Sequence, residues 1–166
     1  MNNFTFKETQ CLIELKNNQG YVIGEAVIDI EDFDRIKEWH WSLHKKGYVW
    51  GYRSKDEWIL LHRLVLGESA GTHTDHKDEN KLDCRKCNLR SCTNSQNLMN
   101  RGKQRNNTSG YKGVSWDKKV GKWFAYIWKD RKRINLGYYD DKRKAAIIYN
   151  EAALIYHGNF AKLNEV

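Results

Sequence analysis

Four side chains in the stretch Asp75 to Asn100, DHKDENKLDCRKCNLRSCTNSQNLMN, are of types that suit the cleavage of a phosphodiester. A hard divalent cation such as Mg2+ (or Mn2+) takes oxygen ligands, and Asp75 with Asn97 offers one carboxylate and one amide carbonyl. Such a cation keeps open positions for water and phosphate oxygens and neutralises charge on the departing oxygen. His76 titrates near neutrality, so it can take the proton of an attacking water. Asn88, accepting from the other imidazole nitrogen, would fix the tautomer that leaves the reactive nitrogen free.

These residues need elements to bring them together. Lys77 to Lys81 is polar and turn-prone, with Asp78 and Asn80 the residues best able to bend the chain. A short segment around Asn88-Leu89-Arg90 follows. Thr93 with Gln96 three places on is a capping-box signature, which puts Asn97 in the first turn of a helix. The local expectation is strand, turn, strand, helix. Neighbours on a regular strand point to opposite faces, so Asp75 and His76 can share a cleft only at a strand end or bulge.

The run from Leu61-His62-Arg63-Leu64 to Asn97 resembles the HNH endonucleases of the phage and homing type. Their ββα-metal motif has a DH pair, an NLR triplet and a downstream QN. The twelve residues from His76 to Asn88 and the nine from there to Asn97 agree with it. The resemblance implies Asp75 and Asn97 as metal ligands, His76 as general base and Asn88 as the residue that orients it. Asn97 stands where many members carry a final His, Glu79 replaces a common Gly and Cys84 a common Asn. The bland alternative is a polar hairpin whose Asn and His side chains only satisfy backbone groups.

Charge is unevenly divided. Residues 101–166 hold 15 Lys and Arg against 6 Asp and Glu, whereas residues 1–100 hold 14 against 15. A basic excess confined to one part of a chain points to a polyanion partner there, most often nucleic acid. Hydrophobic content of 40%, with seven Trp and nine Tyr, is enough for packed cores. No apolar run reaches the length of a membrane span, and no signal peptide is expected. Four Cys in this pattern do not make a secreted disulfide framework, so a reducing cytoplasm is the expected location, and the phage-type resemblance implies that of a bacterial host cell. Cys84-x-x-Cys87 is half of a zinc site, but no second pair follows, and structural zinc is not expected. Cys87 and Cys92 read as small core residues.

In chain order, Cys11–Leu15 and Tyr21–Ile30 read as strands around a turn at Asn17–Gly20, and Glu31–Trp39 as a short helix. Tyr48–Arg53 and Trp58–Leu61 read as a further strand pair. Trp39, Trp41, Trp50, Tyr52 and Trp58 are either a base-stacking surface or the filling of a small core. His62 is either a neighbour of the reactive site or a satisfied structural histidine, and Arg63 beside it is a candidate phosphate contact. Residues 101–110, RGKQRNNTSG, read as a basic linker, with Arg101, Lys103 and Arg105 lying along DNA and ordered only when bound.

The C-terminal part alternates as three strands, Tyr111–Trp116, Lys122–Lys129 and Arg133–Tyr138. Trp123, Ala125 and Ile127 share one face, and Lys122, Phe124, Tyr126 and Trp128 the other. Asp140 or Asp141 caps a helix from about Lys142 to His157, ended by Gly158. A helix packed on one face leaves a basic, aromatic face for the major groove. Tyr111-Lys112-Gly113-Val114, Trp123-Phe124-Ala125, Leu136-Gly137, Ala145-Ala146, Ala152-Ala153, His157-Gly158 and Ala161-Lys162-Leu163-Asn164 resemble the Apetala-type DNA-binding domain. Contact positions implied by that resemblance are Lys112, Ser115, Lys118, Tyr126, Trp128, Arg133 and Asn135. Arg90, Lys122 and Arg131 complete the expected DNA-binding set.

The expected fold class is α+β: an N-terminal HNH (ββα-metal) domain over 1–100, with its core motif at 61–100, then a linker and a three-stranded antiparallel sheet plus one helix over 111–166. The expected function is metal-dependent endonuclease action on double-stranded DNA by a monomer or weak dimer encoded by a phage or mobile element. The alternative is a DNA-binding regulator with an inactive nuclease-like part.

Overall fold

The computed structural model describes residues 2–17, 19–68 and 72–166. The chain divides into two compact units, Met1–Thr93 and Asn94–Val166. Among the described residues there are eleven strands in four sheets, and no helix is long and apolar enough to cross a membrane.

The first unit is built on two antiparallel three-stranded sheets. β1 (Phe4–Lys7), β2 (Gln10–Lys16) and β3 (Val22–Asp29) make one; β4 (His40–Leu43), β5 (Val49–Ser54) and β6 (Glu57–Leu60) make the other. In β2 every second residue, Cys11, Ile13 and Leu15, is fully buried, the period of a strand with one face on a core. Asn18, inside the expected Asn17–Gly20 turn, lies outside the described residues. The expected helix at Glu31–Trp39 shrinks to a 3-10 turn, Ile30–Asp32, and the single turn α1 (Phe33–Ile36).

The tryptophans separate into two groups. Trp39 and Trp41 are buried in this core with ring centroids 5.9 Å apart. Trp41 lies flat on Gly51, where a Cβ would fall 2.6 Å from its ring, so only glycine fits beneath it. Trp58 and Tyr52 stay exposed on the other face of the sheet. A short helix, α2 (Leu61–Leu66), then leads to a two-stranded hairpin of β7 (His73–His76) and β8 (Leu89–Cys92).

The expected fold class is corrected here. Among the described residues no N-terminal ββα arrangement stands out; they are dominated by sheets, and the helix after the hairpin, α3 (Asn94–Asn100), falls in the other unit. The reason lies in its side chains. Asn100 is the buried residue of α3 and Leu98 is exposed, so the helix has no apolar stripe with which to close a hairpin. Cys87 is likewise exposed and Cys92 only half-buried, not the core residues expected.

The second unit is a sheet backed by a helix. β9 (Val114–Asp117), β10 (Lys122–Lys129) and β11 (Lys132–Tyr139) pair antiparallel in the order β11-β10-β9, with a bulge at Ala125/Tyr126. α4 (Lys142–His157) spans the residues set out by its periodicity, and Asp141 caps it by accepting from Arg143 N and Lys144 N. Ala145, Ala146, Ala152 and Ala153 are buried, and these small residues let the helix sit close on Val114, Ala125 and Ile127. Asn164 ties down the tail: it accepts from Lys112 N (2.7 Å), donates to Lys112 O (3.1 Å), and exchanges two bonds with Asn150. Part of the expected linker is also fixed, since Ser109 is buried and donates to Val114 O at 2.7 Å.

Candidate nucleic-acid interface and the buried histidine pair

In the first unit the turn after β7 is anchored on the edge of β3. Val27 N donates to Leu82 O (2.9 Å) and Cys84 N to Val27 O (2.8 Å), which plants Cys84 in the core. Its Sγ lies 3.9 Å from His76 Nε2, and burial pushes the Cys84 thiol up to about 12, so it is not a nucleophile at neutral pH. Asp75 and His76 occupy the end of β7, where both are buried, opposite Arg90 and Leu89. The His62 ring meets the His76 ring edge-on at 5.0 Å, and Tyr48 lies beside both. Burial lowers His76 from its ordinary value and lowers His62 to about 3. The His62 imidazole is therefore neutral at pH 7. His62 Nδ1 is buried with no hydrogen-bond partner among the described residues.

Asn88 braces the turn. Its Oδ1 accepts from Asp78 N (3.1 Å) and its Nδ2 donates to Asp83 O (2.9 Å), so its amide is held by the backbone around His76. Asn88→Leu is expected to cost about 2 kcal/mol by stranding those two groups. Urea unfolding of the full chain measures this, and a loss under about 0.5 kcal/mol would show that the turn holds without it.

The two expected cation ligands fall in different units, Asp75 in the first and Asn97 in the second. Asp75 Oδ2 accepts from Arg90 Nε (2.8 Å) and Nη2 (2.6 Å), so a guanidinium already lies against the carboxylate. Among the described residues no group of three or more His, Cys, Asp or Glu is gathered as a metal site. A cation at Asp75 would have to share or displace the Arg90 guanidinium. Arg63 is half-buried on α2.

The second unit offers a different surface. The helix-facing side of its sheet is Val114, Trp123, Ala125, Ile127, Ile134 and Leu136. Alternation therefore turns Ser115, Lys122, Phe124, Tyr126, Trp128, Arg133, Asn135 and Tyr138 to the other side. Phe124 stacks on Tyr126 (5.6 Å, 20°) and packs against Tyr138 (5.0 Å). Arg133 spreads over Phe124 and Tyr126, 5.5 and 5.8 Å from their centroids. Lys118 and Arg131 are exposed in the two turns of the sheet. Arg101, Lys103 and Arg105 are exposed as well, whereas Lys112 Nζ donates to Met99 O. Phe124 and Tyr138 were absent from the expected contact set, although the period-2 pattern places Phe124 with Tyr126 and Trp128.

Protein 3.8 of Escherichia phage T7 is 34% identical to this chain over 119 residues, 71% of the chain and 98% of the phage protein. The chain belongs to the family of that phage protein. An APETALA2-like protein 2 of rice is 35% identical over 60 residues, and an AP2-like ethylene-responsive transcription factor of Arabidopsis thaliana is 36% identical over 62. Here the chain spans only 14% and 13% of the plant proteins' own lengths. At 119 and 60 residues in a chain of 166, the phage and rice matches necessarily share residues. No protein-family model matches the chain, and no solved structure matches it.

Proposed function

We propose that this phage-type protein binds DNA through the outer face of the β9–β11 sheet and acts by occupying its site there. The supporting observation is that face itself: Arg133 over a cluster of rings, with lysines around it, in the part of the chain that holds the whole basic excess. Similarity to APETALA2-like plant proteins supports the same reading. Lys118, Lys122 and Arg133 would hold backbone phosphates, while Tyr126, Trp128 and Asn135 face the bases.

Fluorescence anisotropy with labelled DNA tests it. Affinity is expected to fall steeply with salt, since each neutralised phosphate releases counterions, and Arg133→Glu with Lys118→Glu should weaken binding by about tenfold or more. Binding that ignores both salt and the double variant would sink the proposal.

A second reading, phosphodiester hydrolysis in the first unit, is favoured by one observation: Asp75, His76 and His62 are gathered at one strand end with Asn88 bracing the adjoining turn. Plasmid nicking with Mg2+ or Mn2+, lost in His76→Ala, would support this reading. DNA binding without cleavage on every substrate would leave the occupancy role alone.

A further inference from the structure

We propose that Asp32 is a positioning residue for the histidine pair: through one cation on each side, it fixes the two elements that bring His62 and His76 ring to ring. The inference deepens the cleavage reading of the first unit and rests on it for the catalytic consequence alone.

Neither ring sits on an element that can hold its own place. α2, which carries His62, is six residues long, and His76 ends a four-residue strand. Elements this short are held by tertiary contacts rather than by their own hydrogen bonds. Two arms run from them to one carboxylate. On the α2 side, Arg35 Nη2 donates to Leu64 O (2.6 Å) and Nη1 to Val65 O (3.0 Å), taking up carbonyls at the helix end. The same Nη1 lies 3.3 Å from Asp32 Oδ1. On the hairpin side, Lys86 Nζ lies 3.1 Å from Asp32 Oδ2, and Lys86 N donates to Asp29 Oδ2 at 2.8 Å. Two residues further on, Asn88 accepts from Asp78 N through its side chain and from Lys77 N through its carbonyl, next to His76. Asp32 thus gives one oxygen to each arm.

Burial separates this carboxylate from an ordinary surface pair. The Asp32 side chain is 2% exposed, whereas those of Arg35 and Lys86 are 45% and 42% exposed. Glu31 also accepts from Lys86 Nζ, at 2.6 Å, but from an exposed side chain that contributes little. A buried carboxylate is costly to desolvate, and an apolar residue of similar volume often serves stability as well or better. Stability alone therefore does not call for aspartate at 32. Fixing the register of two short elements does.

The test uses the full chain with isotope-labelled histidine, read by NMR at pH 7. The ring centroids lie 5.0 Å apart, and a displacement of about 0.5 Å roughly halves the cross-relaxation peak between the rings. Asp32→Leu is expected to leave circular dichroism unchanged, shift the signals of both rings and cut that peak by about twofold or more. Arg35→Met should shift His62 more than His76, and Lys86→Met the reverse. Asp32→Asn keeps the shape without the charge and should show the same pattern, which covers the case in which Asp32→Leu does not fold. Ile13→Val, a core change in the same unit, is the control for lost stability and should leave the peak as in wild type. Ring signals in Asp32→Asn matching wild type, or moving no more than in Ile13→Val, would overturn the inference. Plasmid nicking with Mg2+ is scored separately on the same variants, with kcat expected to fall about tenfold and KM nearly unchanged. A wild type that never nicks would sink the cleavage reading, while the ring signals would still decide whether Asp32 sets the pair.

Discussion

Lowering the pH from 7.5 to 5 is expected to remove about 2 kcal/mol of stability from the N-terminal unit through His62 alone. Burial holds the folded imidazole at about 3, against an ordinary 6.5 once the chain unfolds. A group whose folded pKa is depressed binds protons mainly in the unfolded state, so its contribution is complete above 6.5 and is lost as pH falls towards 3. His76 is lowered for the same first cause, burial, and adds in the same direction. For His62 no carboxylate compensates, and its Nδ1 has no partner among the described residues; for His76 the charges of Asp75, Asp78 and Asp83 oppose burial without overcoming it. Urea unfolding at the two pH values, followed by tryptophan fluorescence, measures the loss. His62→Phe should remove most of the dependence at a modest packing cost, and parallel curves for the two proteins would refute the assignment.

Gly113→Ala is expected to destabilise the C-terminal unit by about 3 kcal/mol or more. Gly113 has φ +72, and a Cβ built there would fall 2.1 Å from Cδ2 of Tyr149 and 2.6 Å from the Tyr126 carbonyl oxygen. Tyr149 is fully buried under the sheet, so its ring cannot swing away. Two costs therefore add: a left-handed backbone, about 1 kcal/mol, and overpacking against an immobile ring, about 1–3 kcal/mol. Gly110→Ala separates them, because Gly110 has φ +85 but no heavy atom within 4 Å of the added Cβ. Thermal unfolding of both variants makes the comparison. If Gly113→Ala is no worse than Gly110→Ala, the Tyr149 ring is not what requires glycine at 113.

The C-terminal unit was legible in the sequence because each of its signals is local. Strand alternation in Lys122–Lys129, the Asp141 cap and the 3.6-residue spacing of Ala145, Tyr149 and Ala152 are set within one element and its neighbour. The N-terminal unit was less legible because its order depends on distant partners. β1 gave too short a pattern to notice, and β4 was hidden because Trp39 and Trp41 look like one aromatic run although Trp41 begins a new buried face. The types of the chemistry-bearing residues stand in the sequence, but type does not fix engagement. Nothing local says that Arg90 will sit on Asp75, or that Asn88 will hold Asp78 and Asp83. Ser109 and Asn164 were invisible as anchors, since each acts through the backbone of another segment.

The boundary between the units at Thr93/Asn94 sets where the chain could be cut and rejoined with its contacts kept. α3 lies against the Gly158–Phe160 turn of its own unit, and Lys112 reaches back to the Met99 carbonyl. A recombination joint after Asn100, where the basic tract begins, would strip the incoming segment of these supports. A joint in the loop just before α3 would carry them along. A segment that keeps these supports begins at Asn94 rather than after Asn100.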